Sequence, residues 1–497
     1  MVEVVENGLK FFPNIEFREA NTFSGAFQVH FVGDLEEFQK QQGDFARSEL
    51  ELDGIFKSST LENGEVYRKL FVHDKQNLDR REYEDLLGKV VKRIKTHKVQ
   101  SFECSLPSGV PRSKLGYLFE VMNYCFEQKN TWAKAAAQTV KQITFVHNGE
   151  SLINDPEFQW YLTIGIHKNL ARDLTNGRTN VAGVDFFLDD CRRRCEYHNS
   201  AAGKGPRVEH TIIQGDELLQ HRLTLLHAVG KGSVQKPALV NLKYQGNPSS
   251  NQYFALVGKG IVFDQGGVDF KSVGLTFMFM DKGGASCVYS AFWAAVASRL
   301  KTNVVCTIAL AENIISGSCF RPSDIYTSLA GLTVEITNTD CEGRLVLADA
   351  MTWTQSTYKL THLVELSTLT GAVVLALKDL GGIFSNDAEF AAKFRAHAES
   401  VSDYSHVLPL SKSCDKEMNS LVADLRNYPF HGHGGAITAA MFLKRFVTDK
   451  DVKWIHYDIA AATLSADVEL YTSAGATGFG VGAILEFLKR EIEPTSA

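Results

Sequence analysis

Four acidic residues lie in apolar, glycine-rich stretches in the second half of this chain: Asp264, Asp281, Asp340 and Glu342. They fall in three segments, "LVGKGIVFDQGGVDFK" (256–271), "FMDKGGAS" (279–286) and "NTDCEGRL" (338–345), which also carry Lys259, Lys271 and Arg344. Carboxylates gathered away from water repel one another unless cations neutralise them. Four carboxylates with no histidine at the same points suit hard or borderline divalent ions such as Mg, Mn or Zn. A pair of ions would use bridging carboxylates efficiently. Asp340 and Glu342 stand at i and i+2, so an extended backbone would put both on one side and turn Cys341 away, into the interior. A second chemistry is open at the same place, with Cys341 as a nucleophile. It needs a histidine to lower the thiol pKa. The histidines that follow, from His362 onward, show no matching motif, and two flanking carboxylates would raise that pKa.

These residues need a scaffold. From about residue 236 the runs "ALVNLKY", "YFALVGKG", "NVVCTIAL", "LTVEI", "HLVEL" and "VKWIHYDIA" read as short, nearly continuous apolar strands. Helical segments at 283–300, 345–357, 389–401, 435–447 and 479–490 alternate with them. The alternation predicts an α/β domain around a mostly parallel or mixed sheet flanked by helices. In such sheets ligands bind beyond the carboxyl ends of strands, and each acidic cluster follows or closes a strand-like run. Residues 1–150 mix short apolar runs with charged helical stretches, among them 79–98, where Leu86, Leu87, Val90, Val91 and Ile94 share one face. The basic end of that helix (Lys92, Arg93, Lys95, Lys98) reads as a solvated face. We therefore expect two domains, a smaller N-terminal α/β domain (1–155) and a larger C-terminal α/β catalytic domain (156–497), with 156–175 as connecting helix.

Bulk properties narrow the function classes. The chain has 497 residues, is 44% hydrophobic, and sets 52 basic against 58 acidic residues for a net charge of −6. That balance gives no electrostatic reason to expect nucleic acid or an anionic membrane as partner. The longest uncharged apolar stretch, 283–298, is too short and too polar to span a bilayer. The opening "MVEVVENGLKFFPN" lacks the pattern of a secretory signal. Nine scattered cysteines suit a reducing compartment. Together these lead us to expect a cytoplasmic protein.

Other candidates have plain readings. "AVGKGS" (228–233) lacks the glycine a phosphate loop needs four residues before its Gly-Lys pair. "FHGHGG" (430–435) holds a His-X-His pair that could bind metal, but it reads first as a turn before a helix. "CRRRCEYH" (191–198) reads as an amphipathic helix, with no second ligand pair of the kind a zinc finger requires.

"NTDCEGRLVLADA" closely resembles the signature of the M17 leucyl aminopeptidase family, usually NTDAEGRL, and "VGKGIVFDQGGVDFK" resembles that family's VGKG-x-x-FD-x-GG segment with the same lysine spacing. "STLTGA" (367–372), "GGAITAAMFLKRF" (434–446) and "GATGFGV" (475–481) match further blocks in order. The resemblance covers the second half closely, 170–240 more loosely, and the first 150 residues only in kind. It implies a metal-dependent aminopeptidase that removes an N-terminal leucine or similar apolar residue from peptides with a free N-terminus, through a hydroxide bridging two metals. Lys259, Asp264, Asp281 and Glu342 would hold one divalent ion, and Asp264, Asp340 and Glu342 the other, with help from the Asp340 carbonyl. Zn, Mn, Mg and Co are all candidates. Lys271 and Arg344 would be the catalytic residues that are not ligands, with a bicarbonate held by Arg344 and the backbone near Gly343 and Leu369. Met278, Thr368, Gly371, Ala460 and Thr463 would line the pocket for the substrate side chain. The resemblance further implies a homohexamer.

The chain also departs from the family's usual residues. Gln265 stands where serine is common and Cys341 where alanine is. "NGRTN" (176–180) lacks the usual proline, and Lys282 takes a usually apolar position. None of these removes an expected ligand. A cysteine hydrolase and a non-enzymatic metal-binding scaffold are the competing classes.

Overall fold

The structure, a computed structural model, describes residues 15–24, 27–32, 55–62, 65–73, 78–96, 99–124, 126, 140–203, 205–465 and 474–493. The opening "MVEVVENGLKFFPN" and Lys98 lie outside the described residues. The chain divides into two units. One takes in the described residues of 10–169 and 465–475, the other those of 170–464 and from 476 onward. The helix Pro156–Asn176 runs through the change from one unit to the other.

In the N-terminal unit, strands β1 (Glu16–Ala20), β2 (Phe27–Val32), β3 (Ile55–Glu62), β4 (Glu65–His73), β5 (Ser101–Ser105) and β6 (Gln142–Val146) form one sheet in the order β1-β6-β5-β2-β4-β3. The helix Arg80–Thr96 buries the predicted stripe Leu86, Leu87, Val90, Val91 and Ile94, as its 3.6-residue period requires.

The larger unit is built on an eight-stranded sheet. In chain order its strands are β7 (Val208–Gln214), β8 (Ala238–Gln245), β9 (Gln252–Asp264) and β10 (Asn303–Asn313). Two short strands of a separate sheet follow, β11 (Ile325–Thr327) and β12 (Thr333–Glu335). Then come β13 (Lys359–Ser367), β14 (Gly381–Ser385), β15 (Ser405–Val407), β16 (Leu425–Arg426) and β17 (Lys453–Asp458). The large sheet runs β15-β14-β17-β13-β9-β10-β8-β7, and the small one β11-β12-β16. At the centre β17, β13, β9 and β10 are mutually parallel, while β8, β7 and β14 join antiparallel to their neighbours. The sheet is thus mixed around a parallel core, and the expected α/β class is correct. "LTVEI" departs from expectation, because its strand β12 belongs to the small sheet.

The parallel core explains the continuous apolar runs. β9 is buried along nearly its whole length, as a central strand covered on both faces must be. It continues well past Val257, so Lys259 sits within the strand and Asp264 at its end, not on a loop. The glycines of "GKG" have a packing reason. A Cβ at Gly258 would come within 2.6 Å of the Ala285 backbone, and one at Gly260 within 2.8 Å of the Ala309 carbonyl. The absent side chains let the buried helix Gly283–Ala297 lie directly against β9. None of the helices among the described residues is long and apolar enough to cross a membrane.

Candidate metal centre

The carboxyl ends of the central strands supply the site. Register pairs Asn313 at the end of β10 with Asp264 at the end of β9, and Ser367 at the end of β13 with Asp458 at the end of β17. This is the sheet edge where a parallel core presents ligands. Asp281 follows the helical turn Leu275–Met280 and stands just before the helix Gly283–Ala297. Asp340 and Glu342 precede the helix Gly343–Thr357.

The "NTDCEGRL" backbone is not extended as the spacing suggested. Residues 339–340 form a turn in which the Cys341 N–H donates to the Asn338 carbonyl at 3.3 Å, and Glu342 is already in helical conformation as the residue before the helix. The turn, and not strand alternation, brings Asp340 and Glu342 to one place. The hub is Asn427, beside β16. Its Oδ1 accepts from the N–H groups of Thr337 (2.8 Å) and Asn338 (3.2 Å), and its Nδ2 donates to the Asn338 carbonyl (2.6 Å).

The acidic residues and lysines converge. Potential ligand atoms of Asp264, Asp340 and Glu342 all lie within 4.8 Å of one another. Lys259 Nζ is 2.8 Å from Asp281 Oδ2 and 3.0 Å from Glu342 Oε1, and it donates to the Thr368 carbonyl at 2.9 Å. Lys271 Nζ lies 2.8 Å from Asp264 Oδ2 and 2.5 Å from Asp340 Oδ1. Each lysine therefore stands between two carboxylates, where a cation would also be held. Burial alone would lower both lysine pKa values, but the surrounding carboxylates outweigh it and hold both ammonium groups above the ordinary lysine range. The acids feel the crowding in reverse. Burial, then Asp264, push the Glu342 carboxyl up to about 8. Burial raises Asp281 to about 6 against the pull of Lys259, and raises Asp340 against that of Lys271. Negative charge is in excess here, and Glu342 Oε2, fully buried, has no hydrogen-bond partner. An orphaned carboxylate oxygen in such a cluster fits a divalent cation.

A ring of polar residues holds the cluster, and sequence spacing gave no sign of most of them. Asn313 Nδ2 donates to Asp264 Oδ1 at 2.8 Å and to the Thr339 carbonyl at 3.0 Å. Thr339 Oγ1 donates to the Gly266 carbonyl at 2.6 Å, and Asp269 accepts the Thr339 N–H at 2.7 Å. Gly266 takes φ +92°, and a Cβ there would meet Asp340 Oδ1 at 2.8 Å, which accounts for the glycine. Gly343 is needed for a similar reason, since its Cβ would sit 2.7 Å from Lys259 Nζ. Gln265 ties the turn outward, its Oε1 accepting the Ile315 N–H at 2.8 Å.

The remaining candidates lie around this core. Thr368 Oγ1 donates to Asp281 Oδ1 at 2.6 Å, and the methyls of Thr368 and Thr463 both pack over Gly283. Met278 is half-buried on the turn before Asp281. Gly371 is exposed at the start of the helix Gly371–Leu377. Ala460 follows β17 and packs against the Val373, Phe384, Ala436 and Ala440 cluster. Arg344 is buried. One guanidinium nitrogen donates to the Asn427 carbonyl at 2.7 Å, and Nε has no hydrogen-bond partner. The Leu369 N–H is engaged by Asp458 Oδ1 at 3.1 Å, so that amide already has an acceptor within the protein. Burial pushes the Cys341 thiol up to about 11, away from the thiolate a nucleophile needs.

Residues 169–485, more than half of the chain, match the family model described as "Cytosol aminopeptidase family, catalytic domain". A probable cytosol aminopeptidase from Methylobacterium radiotolerans is 38% identical over 326 residues, which take in 65% of this chain and 62% of that relative's length. The chain thus spans less than two thirds of that relative. Among solved structures, a leucyl aminopeptidase from Trypanosoma cruzi superposes with a TM-score of 0.81 at 23% identity, over 96% of this chain and 97% of that one. At that identity the likeness is one of fold. The bottromycin maturation enzyme BotP in complex with Mn gives a TM-score of 0.78 at 27% identity, over 94% of this chain and 99% of that one.

Proposed function

The chain belongs to the cytosol aminopeptidase family, and on that premise we propose that it is a metal-dependent aminopeptidase that releases the N-terminal residue of peptides, with leucine or a similar apolar residue preferred. The observation that carries this reading is the donor set itself, four acidic residues and Lys259 converging at the carboxyl edge of the sheet with a buried, partnerless oxygen on Glu342. Lys259, Asp264, Asp281 and Glu342 would hold one divalent ion. Asp264, Asp340 and Glu342, with the Asp340 carbonyl, would hold the other. Zn, Mn, Mg and Co all suit such donors, and the manganese complex of BotP supports Mn among them. When bound, a pair of ions supplies a water acidified to hydroxide and a Lewis acid for the scissile carbonyl.

The protein's own groups do the rest. Lys259 would serve as a ligand only in its neutral form, which two nearby cations would favour over the ammonium. Thr368 orients Asp281 through its hydroxyl. Lys271, already the charge partner of Asp264 and Asp340, offers its ammonium to the oxyanion that develops on the substrate. Arg344 presents a planar fork suited to a small oxyanion. A bicarbonate there, near Gly343 and Leu369, would move the proton. Met278, Thr368, Gly371, Ala460 and Thr463 form the apolar pocket. The catalytic domain in this reading covers 156–497, the enzyme is a homohexamer, and it works in the cytoplasm. The free cysteines among the described residues support a reducing location.

The substrate's free α-amine would be a ligand to a bound ion, so a blocked amine should abolish turnover. The test compares leucine amide with N-acetyl-leucine amide on metal-loaded protein. Hydrolysis of the first alone is expected, and equal hydrolysis of both would sink the proposal.

A further inference from the structure

Lys282 and the segment 176–180 (NGRTN), about a hundred positions apart, meet in the fold. Lys282 is fully buried, and its Nζ donates to the carbonyls of Gly177 at 2.6 Å and Ala182 at 3.1 Å, near the two ends of one loop. Inside that loop the N–H groups of Val181 and Ala182 both donate to the Arg178 carbonyl, at 2.8 and 2.7 Å. This closes a β-turn with Thr179 at its second position. Thr179 Oγ1 donates to the Val262 carbonyl of β9 at 2.7 Å. The Arg178 guanidinium lies 3.7 Å from the centre of the Phe279 ring, and Phe279 sits between Met278 and Asp281. The loop is thus fastened at three points, and two of them bear on the turn that leads into the metal centre.

We propose that Lys282 is a positioning residue: its buried Nζ cross-links both ends of the 177–182 loop to the start of the helix Gly283–Ala297 and so fixes the Phe279 turn that carries Met278 and Asp281. A proline would stiffen such a loop by fixing φ. Here the side-chain cross-link does that work. An apolar residue at 282 would fill the same volume but offer no donor to two carbonyls of buried residues. The kinetic consequence rests on the proposed aminopeptidase function, whereas the structural consequence does not.

The experiment is amide hydrogen exchange and leucine-amide kinetics on the full, metal-loaded chain as wild type and Lys282→Met. In Lys282→Met, exchange at 177–183 and 275–281 should quicken at least ~10-fold. KM for leucine amide should rise roughly 5-fold with kcat within about 2-fold and metal content unchanged, the mark of a displaced binding wall. Unchanged exchange in Lys282→Met overturns the proposal. Should Lys282→Met not fold, Arg178→Ala removes the tie to Phe279 from the surface. It should quicken exchange at 275–281, and unchanged exchange there overturns the proposal equally. A wild type that hydrolyses no leucine amide would defeat the functional reading, while the exchange comparison would still decide the role of Lys282.

Discussion

Among the residues, Cys341 and its two acidic neighbours divide the possible chemistries. The cysteine is flanked by the carboxylates, lacks a histidine motif nearby, and has a thiol raised to about 11 by burial, so it is not poised as a nucleophile. Asp340 and Glu342 are the proposed ligands, and both lie with Asp264 in one cluster, each opposed by a lysine. Cys341→Ala should therefore keep most leucine-amide activity, whereas Asp340→Ala and Glu342→Ala should each remove it with the fold intact. An inactive Cys341→Ala enzyme with normal metal content would reopen the cysteine reading. The acidic residues were legible in the sequence because such groups are rare in apolar surroundings, whereas the roles of Lys259 and Lys271 came from the family resemblance. Asn313, Thr339 and Asn427 were not legible. A neutral polar residue at the end of a strand carries no signal until the fold shows which carboxylate or turn it holds.

At the level of elements, the sequence revealed the strands of the parallel core and most helices, since burial on both faces writes itself as continuous apolar runs. It misjudged "NTDCEGRL", because i, i+2 spacing looks the same in an extended strand as in a turn entering a helix. The helix that begins there, Gly343–Thr357, is anchored by Asp349. This fully buried carboxylate accepts the N–H groups of Leu225 (2.7 Å), Leu226 (3.1 Å) and Leu329 (2.9 Å). Leu225 and Leu226 open the helix Thr224–Gly230, whose first N–H groups have no partner within the helix. Asp349→Ala would leave three donors without their acceptor, and a loss of at least ~2 kcal/mol in unfolding free energy is expected from denaturant titration. A change within about 0.5 kcal/mol, the usual range for surface substitutions, would show that the anchor is dispensable.

For the molecule as a whole, the two units are each organised around their own sheet, and the larger one carries every residue proposed for the reaction. The change in patterning near residue 156 suggested a domain boundary there, and the two units change over at residues 169/170, within the helix Pro156–Asn176. An assembly could not be read from the sequence, because a surface that packs against another subunit looks like any other stretch with scattered apolar residues. The exposed Val273, Leu375, Leu421 and Phe430 are such residues. The proposed homohexamer predicts a mass six times that of the chain in sedimentation equilibrium at micromolar concentration, and a persistent monomer would contradict it. The central claim is that the acidic cluster works only with metal in it. Its most direct test is to strip the protein of metal, assay leucine-amide hydrolysis, and re-supply Zn, Mn, Co or Mg one at a time. We predict no turnover in the stripped protein and recovery with at least one of the four, at two ions per chain. Full activity without metal, or none with any of them, would contradict it.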